Sequence, residues 1–139
     1  MIVLDTNVLS ELIRPTADPV VLRWLAAQVP GSLHTTAVTR AEMLYGARQL
    51  PTGKRQQQLL SSVSAMFDED FGERVLPFDS DAADVYARIA AERKQAGKPI
   101  SQFDAQIAAI TFANGGALAT RNVVDFKGCG IEVVNPWHP

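Results

Sequence analysis

Cysteine and histidine are scarce in this 139-residue chain, which contains one cysteine and two histidines. Cys129 has no second cysteine to pair with, so an internal disulfide and a cysteine metal cluster are both excluded. His34 and His138 are far apart and lack the close spacing of metal-binding histidines, so we expect neither to be catalytic. Any metal site in this chain would therefore be built from oxygen ligands.

Long apolar runs and an excess of basic charge are also missing. No run of about 18 apolar residues is present to span a membrane, and the amino terminus does not read as a secretion signal, so we expect a cytoplasmic protein. The 13 basic residues are outnumbered by 15 acidic ones, for a net charge of -2. That balance argues against bulk electrostatic attraction to nucleic acid, although it leaves a local binding site open.

The chain has the ordinary composition of a globular protein. Hydrophobic residues make up 47% and charged residues 20% of the sequence. The length predicts a single domain over residues 1–139, large enough to bury a core without disulfides or metals. No internal repeat, low-complexity tract or linker divides the sequence.

The first seven residues set the expected architecture. Four apolar positions, 1–4, run directly into Asp5, Thr6 and Asn7, after which apolar residues recur at helical spacing. A strand without a polar face is usually covered on both sides, so we predict a central strand of a parallel sheet. Ligands bind beyond the carboxyl ends of such strands, where Asp5 would lie. The alternative is that Asp5 or Thr6 only caps the following helix.

The rest of the chain alternates strands with helical segments. Further strands are predicted at 33–38, 74–78 (toward a sheet edge because of its proline), 117–120 and 131–134, and helices at 8–13, 20–29, 39–49, 54–67, 79–97 and 101–114. Thr39 with Glu42 matches a capping box, and Ser101 is predicted to cap the helix that carries Asp104. Residues 68–73 are predicted to form a solvated loop. This order predicts a three-layer α/β/α fold with a mainly parallel central sheet.

Four carboxylates fall at one end of the predicted sheet. Asp5 follows the first strand, Glu42 lies in the first turn after the second, and Asp104 and Asp125 flank the fourth. Unit charges a few ångströms apart repel by roughly 4 kcal/mol at an effective dielectric of about 20, so such a cluster needs protons or a divalent cation. Oxygen ligands favour Mg²⁺, with Mn²⁺ as a substitute. Each acid keeps a structural alternative as a helix cap or first-turn residue.

A magnesium site of this kind predicts a class of chemistry. Mg²⁺ held by Asp and Glu lowers the pKa of a bound water and neutralises a leaving oxygen, so the expected reaction is phosphodiester hydrolysis. The bound cation would also reverse the local field, which would let an acidic chain accept a polyanion.

Several segments, in order along the chain, resemble one known family. They are MIVLDTNVLSE at 1–11, RAEMLYG at 40–46, DAQIAA at 104–109 and ATRNVVDF at 119–126, closing with VVNPW at 133–137. With these segments the chain resembles PIN-domain endoribonucleases, specifically the VapC-like and FitB-like toxins of bacterial type II toxin-antitoxin pairs. The resemblance spans nearly the whole chain.

The resemblance implies Mg²⁺-dependent cleavage of RNA, a homodimer, and a small antitoxin whose tail blocks the acidic groove with an Arg or Lys side chain. Some members carry an acid where this chain has Asn122, whereas here the acid stands three residues later. The implied site residues are Asp5, Glu42, Asp104 and, at the fourth position, Asn122 or Asp125, with help from the hydroxyl groups of Thr6 or Thr120.

Other residues and other functions complete the sequence-based expectations. Arg40 and Arg121 lie beside proposed acids and either contact RNA phosphates or form structural ion pairs. Tyr45 and Gly46 are predicted to let their helix pack closely against the core.

Three competing functions remain. The first is a receiver-like phosphoacceptor module, in which Asp79 would be the acceptor if it were not a helix cap. The others are a PIN-like protein that only binds partners and a metal nuclease that cuts DNA.

Overall fold

A five-stranded sheet, in the order β3-β2-β1-β4-β5, forms the middle layer of the computed structural model, which describes residues 1–139. The strands are β1 (Ile2–Leu4), β2 (Leu33–Thr36), β3 (Val75–Leu76), β4 (Ala117–Ala119) and β5 (Val133–Val134). Every neighbouring pair is parallel, so all carboxyl ends lie at one edge of the sheet. β1 occupies the centre, as its unbroken apolar run predicts, and β3 is an edge strand that ends before Pro77.

Helices cover both faces of this sheet. They are α1 (Thr6–Leu12), α2 (Pro19–Ala26), α3 (Ala37–Arg48), α4 (Lys54–Ala65), α5 (Ser80–Gln95) and α6 (Gln102–Ala113). α4 continues into a π-helical segment, Met66–Phe71, and a 3₁₀ turn, Gly72–Arg74; a second 3₁₀ turn, Val123–Phe126, follows β4. None of the helices combines the length and the apolar character needed to cross a membrane.

The two faces of the sheet bury separate apolar clusters, because successive side chains of a strand point to opposite sides. Val3 and Leu118 pack with the apolar sides of α5 and α6. Leu4 and Ala119 pack on the other face, against side chains from α1, α2, α3, α4 and the π-helical segment. The predicted three-layer α/β/α fold is therefore confirmed.

The start of α3 differs from the prediction. The helix begins at Ala37, because Thr36 is its N-cap: the Thr36 Oγ1 accepts the backbone N–H of Thr39 at 3.0 Å. The capping box predicted between Thr39 and Glu42 is wrong. The β-branched run before the helix favoured a longer strand locally, but a threonine that satisfies a first-turn N–H lets the helix begin at once. Glu42 is thereby left available for the cleft described below.

Two other helix caps are as predicted. The Asp79 Oδ1 accepts the N–H of Ala82 at 2.9 Å at the start of α5, and the Ser101 Oγ accepts the N–H of Asp104 at 3.2 Å in α6. Asp79 is exposed and committed to its cap. The receiver-like alternative therefore loses its candidate phosphoacceptor.

Two packing predictions are wrong. Tyr45 is 68% exposed, and a Cβ atom on Gly46 would meet nothing within 4 Å, so neither residue packs closely against the core. The buried face of α3 is instead the one that carries Met43 and Ala47, one turn apart. Residues 68–73 form π-helical and 3₁₀ turns rather than an irregular loop, although the acidic side chains there are exposed as expected.

Candidate active site at the carboxyl edge of the sheet

A cleft of about 420 Å³ opens where β1, β2 and β4 end. Its wall is polar, with one hydrophobic residue among eleven: Asp5, Thr6, Asn7, Ser10, Glu11, Arg14, Glu42, Asp104, Arg121, Asn122 and Trp137. Three of the acids that the sequence placed at this edge, Asp5, Glu42 and Asp104, line the cleft together. They come from three separate parts of the chain and meet because the parallel strands all end here.

Asp5 is the N-cap of α1 and a wall residue of the cleft at the same time. Its side chain is 4% exposed; Oδ1 accepts the N–H of Thr6 at 2.7 Å, and Oδ2 accepts the hydroxyl of Thr120 at 2.8 Å. The capping role and a site role are thus compatible. Burial raises the pKa of Asp5; the two hydrogen bonds oppose this rise, and the charges of Asp104 and Asp125 add to it.

Thr120 ties the ends of β1 and β4 together. Its hydroxyl donates to Asp5 and accepts from the Asn7 Nδ2 and from the backbone N–H of Asn122, both at 3.1 Å. A hydroxyl has one proton and two lone pairs, so its bonding capacity is full. The Asn7 Oδ1 in turn accepts the N–H of Arg121 at 3.2 Å. The chain that follows β4 is therefore held against α1.

Glu42 reaches the cleft from the second turn of α3. Its Oε1 accepts the hydroxyl of Thr6 at 2.9 Å, and that hydroxyl lies 3.2 Å from the hydroxyl of Thr39. The Thr39 hydroxyl lies 3.2 Å from that of Thr36, so a line of hydroxyl groups runs from the end of β2 to the carboxylate. Burial raises the pKa of Glu42, the Thr6 bond lowers it, and the neighbouring carboxylates raise it further.

Asp104 is the third residue of α6 and is half-buried at the cleft. Burial raises its pKa, while a hydrogen bond with Ser101 lowers it. The charge of Asp125 raises the same pKa, and the Arg93 guanidinium lowers it. The net direction is upward, as it is for the other two acids of the cleft.

Asp125 and Asn122 occupy different places. Asp125 is exposed on the 3₁₀ turn and lines a neighbouring recess instead of the cleft. Its charge still acts on the cleft, because it raises the pKa values of Asp5 and Asp104. Asn122 lines the cleft itself.

The donor atoms of the cleft suit a hard divalent cation that keeps part of its water. Asp5, Glu42 and Asp104 offer carboxylate oxygens, and none of them is in a salt bridge. No group of three or more His, Cys, Asp or Glu side chains is placed to coordinate a single metal ion. Mg²⁺ is usually held by one or two carboxylates and several waters, so these carboxylate donors suit it, whereas the cleft wall offers no His or Cys ligand for a zinc site. Burial is the main cause of the raised pKa values and the neighbouring carboxylates add to it, so a cation would relieve that repulsion.

A row of cleft residues on α1 had no predicted role. They are Asn7, Ser10, Glu11 and Arg14, whose spacing puts them on one face of the helix and its extension. Glu11 is 4% exposed, and the Arg14 Nη1 contacts its two carboxylate oxygens at 3.1 and 3.0 Å. The sequence signal that could have predicted these cleft residues is the row of polar side chains on the side of α1 opposite the buried Val8 and Leu9.

The two arginines considered for phosphate contacts have different environments. Arg40 forms a salt bridge with Asp68 at 2.8 Å and lies 5.6 Å over the ring of Phe67, away from the cleft. Arg121 lines the cleft, forms no salt bridge and lies 4.8 Å over the ring of Trp137. The ion-pair alternative therefore holds for Arg40 and fails for Arg121.

Comparison with known proteins agrees with this architecture. The family model described as PIN domain matches residues 2–127. VapC ribonuclease Y4jK of Sinorhizobium fredii is 41% identical over 139 residues, covering 100% of this chain and 99% of the relative. Toxin FitB of Neisseria gonorrhoeae is 36% identical over 138 residues, covering 99% of each. The crystal structure of FitAcB from Neisseria gonorrhoeae matches with a TM-score of 0.91 at 36% identity and covers 100% of both chains.

Proposed function

Because the chain belongs to the PIN-domain family, we propose that it is a Mg²⁺-dependent endoribonuclease and the toxin of a toxin-antitoxin pair. One observation carries this proposal: Asp5, Glu42 and Asp104 line the same cleft, and burial raises the pKa of each. The relatives named as a ribonuclease and as a toxin support the class of reaction.

In this proposal Asp5 and Asp104 are the principal ligands of the ion, with Glu42 beside them. When bound, Mg²⁺ would lower the pKa of an attacking water and neutralise charge on the phosphate oxygens. The Thr6 N–H and the Thr120 hydroxyl hold the Asp5 carboxylate in one orientation. Glu42 accepts the Thr6 hydroxyl through Oε1, and its role in this proposal is to position the metal or a water.

We assign the fourth site position to Asn122 and give Asp125 an indirect role through its charge. Asn122 lines the cleft and its N–H is fastened to Thr120, whereas Asp125 is exposed on the neighbouring turn. Asn122→Ala should therefore reduce cleavage more than Asp125→Asn does. The reverse order would return the fourth position to Asp125.

An antitoxin and a second copy of the chain are the proposed protein partners. The structural neighbours include toxin-antitoxin complexes. An Arg or Lys from such an antitoxin would satisfy the acidic cleft. The tail of the antitoxin would occupy the acidic cleft, and an uncovered groove of about 440 Å³ between α1, α2, α4 and the π-helical segment, with eight hydrophobic residues among eleven, offers an apolar surface for another segment of it.

Exposed apolar side chains support the homodimer. Tyr45 on α3 is 68% exposed, Phe103 on α6 is 49% exposed and Val124 on the second 3₁₀ turn is 80% exposed. These side chains offer apolar contact area to a second copy of the chain. Sedimentation of the antitoxin-free protein at several concentrations tests it, and a concentration-independent monomer would contradict it.

The deciding experiment measures cleavage of a mixed pool of structured RNA by the purified, antitoxin-free protein. It is run in Mg²⁺ and in EDTA, beside Asp104→Asn prepared identically and beside single-stranded DNA. We expect cleavage of RNA that requires both the metal and Asp104. Equal cleavage by parent and variant, or cleavage in EDTA, would contradict the proposal, and cutting of DNA alone would change its substrate.

A further inference from the structure

We infer that Arg121, whose guanidinium lies over the ring of Trp137, binds an RNA backbone phosphate adjacent to the one that is cut. The location next to the cut phosphate rests on the proposed ribonuclease function, whereas the phosphate-binding site itself rests on the structure. The ligand is a phosphodiester of a single strand, bound at the wall that the cleft shares with a neighbouring recess.

The position of Arg121 follows from two recesses that share a wall. Beside the acidic cleft lies a smaller recess of about 320 Å³. Four residues line both spaces and so form the partition between them: Glu11, Arg14, Arg121 and Trp137. A strand that leaves the acidic cleft through this recess passes directly over the two guanidinium groups.

Arg121 is available to an anion and is already fixed in place. It forms no salt bridge, and its guanidinium carbon lies 4.8 Å from the centroid of the Trp137 ring. A guanidinium stacked on an aromatic face keeps its N–H edges free for bidentate contacts with phosphate. Trp137 is 8% exposed, so burial holds its ring in place, and its backbone N–H donates to the Asn135 Oδ1 at 2.9 Å.

Both ends of the Arg121 residue are therefore anchored. Its backbone N–H donates to the Asn7 Oδ1, and Asn7 also donates to Thr120, the residue that holds Asp5. The guanidinium and the Asp5 carboxylate are thus positioned by one hydrogen-bonded unit. A preorganised side chain loses little conformational freedom when it binds, which favours it over a mobile surface lysine.

The charges at the partition limit the site to one phosphate. Arg14 is paired with the buried Glu11, so the formal charge of that pair is zero and Arg121 supplies the net positive charge. Asp18, which also lines the smaller recess, accepts the N–H of Val20 as the cap of α2. Its negative charge keeps a phosphate at the partition rather than deeper in the recess.

The first test measures binding without cleavage. An oligoribonucleotide of about 12 nucleotides, a length within the usual site size of single-strand binders, is titrated with the antitoxin-free protein in EDTA, which removes the metal that the proposed cleavage requires. Fluorescence anisotropy measures the binding at several salt concentrations. Arg121→Ala should weaken binding about tenfold or more and reduce the slope of log K against log salt by about 0.7. Arg121→Lys should keep the salt slope, because lysine keeps the positive charge. It should lose part of the affinity, because lysine lacks the planar guanidinium that lies over Trp137 and binds phosphate through two N–H groups.

The matched control is Arg55→Ala. Arg55 is an exposed arginine on α4 without a salt bridge, so its removal changes the net charge of the protein equally. We expect its binding and salt slope to equal those of the parent. Circular dichroism of each variant checks folding. Equal behaviour of Arg121→Ala and Arg55→Ala, or no binding by the parent, would overturn the phosphate site.

A cleavage series separates this inference from the proposed function and locates the phosphate. With a mapped cut, single phosphates beside it are replaced by neutral methylphosphonates. One such replacement should raise KM for the parent and add nothing for Arg121→Ala, a coupling that a purely structural arginine would not show. Binding that depends on Arg121 without any metal-dependent cleavage would sink the ribonuclease and leave the phosphate site standing. Metal-dependent cleavage in which no methylphosphonate replacement is coupled to Arg121 would overturn the phosphate site and leave the ribonuclease standing.

Discussion

Single hydroxyl groups orient the carboxylates of the cleft. The Thr120 hydroxyl bonds Asp5, Asn7 and Asn122 together, and the Thr6 hydroxyl holds Glu42. Buried polar groups of this kind are costly to leave unpaired, so removal of one hydroxyl affects every partner. The orientation of the acids is therefore set by neighbours that carry no charge.

Replacing Thr120 with valine tests this arrangement. Thr120→Val keeps the shape but removes the hydrogen-bond partner of the Asp5 Oδ2 and of the Asn7 Nδ2. We therefore expect a loss of about 1–3 kcal/mol in the free energy of unfolding and a loss of cleavage of about tenfold or more. The control is Thr111→Val, which removes a buried hydroxyl that donates only to the Ile107 carbonyl at 2.8 Å. Urea unfolding and RNA cleavage are measured for both. Unchanged cleavage by Thr120→Val would contradict its role.

The raised pKa values of Asp5, Glu42 and Asp104 predict how metal-free stability depends on pH. A folded state with raised carboxyl pKa values binds more protons than the unfolded state, so these groups favour folding at low pH. Their contribution is lost as pH rises from the unfolded values near 4 through the raised folded values.

The measurement is the unfolding temperature in EDTA across this range, for the parent and for Asp104→Asn. Other groups titrate as well, so the difference between the two proteins is the relevant quantity. We expect Asp104→Asn to gain stability relative to the parent as pH rises, because it lacks one repelling charge. A difference that is constant with pH would contradict the raised pKa of Asp104. The same variant should lose cleavage by at least about hundredfold.

At the scale of elements, two helix starts deliver two of the three carboxylates. The Thr36 cap begins α3 directly after β2 and brings Glu42 to the cleft one and a half turns later. The Ser101 cap begins α6 and places Asp104 in its first turn. The geometry of the site is therefore sensitive to where these helices begin.

Paired cap substitutions separate stability from positioning. Ser101→Ala and Asp79→Ala each remove one N-cap, and each should cost about 1 kcal/mol in the free energy of unfolding. Only Ser101→Ala should also reduce RNA cleavage, because α6 carries Asp104 whereas α5 contributes no residue to the cleft wall. Equal cleavage by both variants would show that the cap of α6 does not position the site.

At the scale of the whole molecule, an entirely parallel sheet concentrates polar residues at one edge. β1, β2 and β4 end side by side, so acids that are about 40 to 100 positions apart in sequence meet there. The interior of the sheet is apolar on both faces and supplies the free energy that holds the repelling carboxylates together. The carboxylates of the cleft therefore destabilise the fold locally, and the apolar core compensates for this cost.

Metal binding should relieve the repulsion between these carboxylates and so raise the stability of the fold measurably. Mg²⁺ at 100 times its dissociation constant should raise the free energy of unfolding by about 2.7 kcal/mol. Asp104→Asn should lose most of this gain, and Asp125→Asn, whose carboxylate lies outside the cleft, should keep it. Thermal unfolding with and without Mg²⁺ measures the effect. Equal stabilisation of the parent and Asp104→Asn would place the ion elsewhere.

The sequence by itself determined the fold class, the central position of β1, the caps at Asp79 and Ser101 and the gathering of Asp5, Glu42 and Asp104 at one edge. These features follow from local chemistry: the period of apolar residues, the preference of short polar side chains for helix starts, and the shared direction of parallel strands.

Tertiary structure alone decided the features that depend on distances between remote segments. It separated Arg40, paired with Asp68, from Arg121, stacked on Trp137. It placed Asn122 in the cleft and Asp125 outside it. Thr120 meets Asp5 across 115 positions of sequence. Which of several chemically similar side chains reaches a site is set by packing, and packing is a property of the folded chain as a whole.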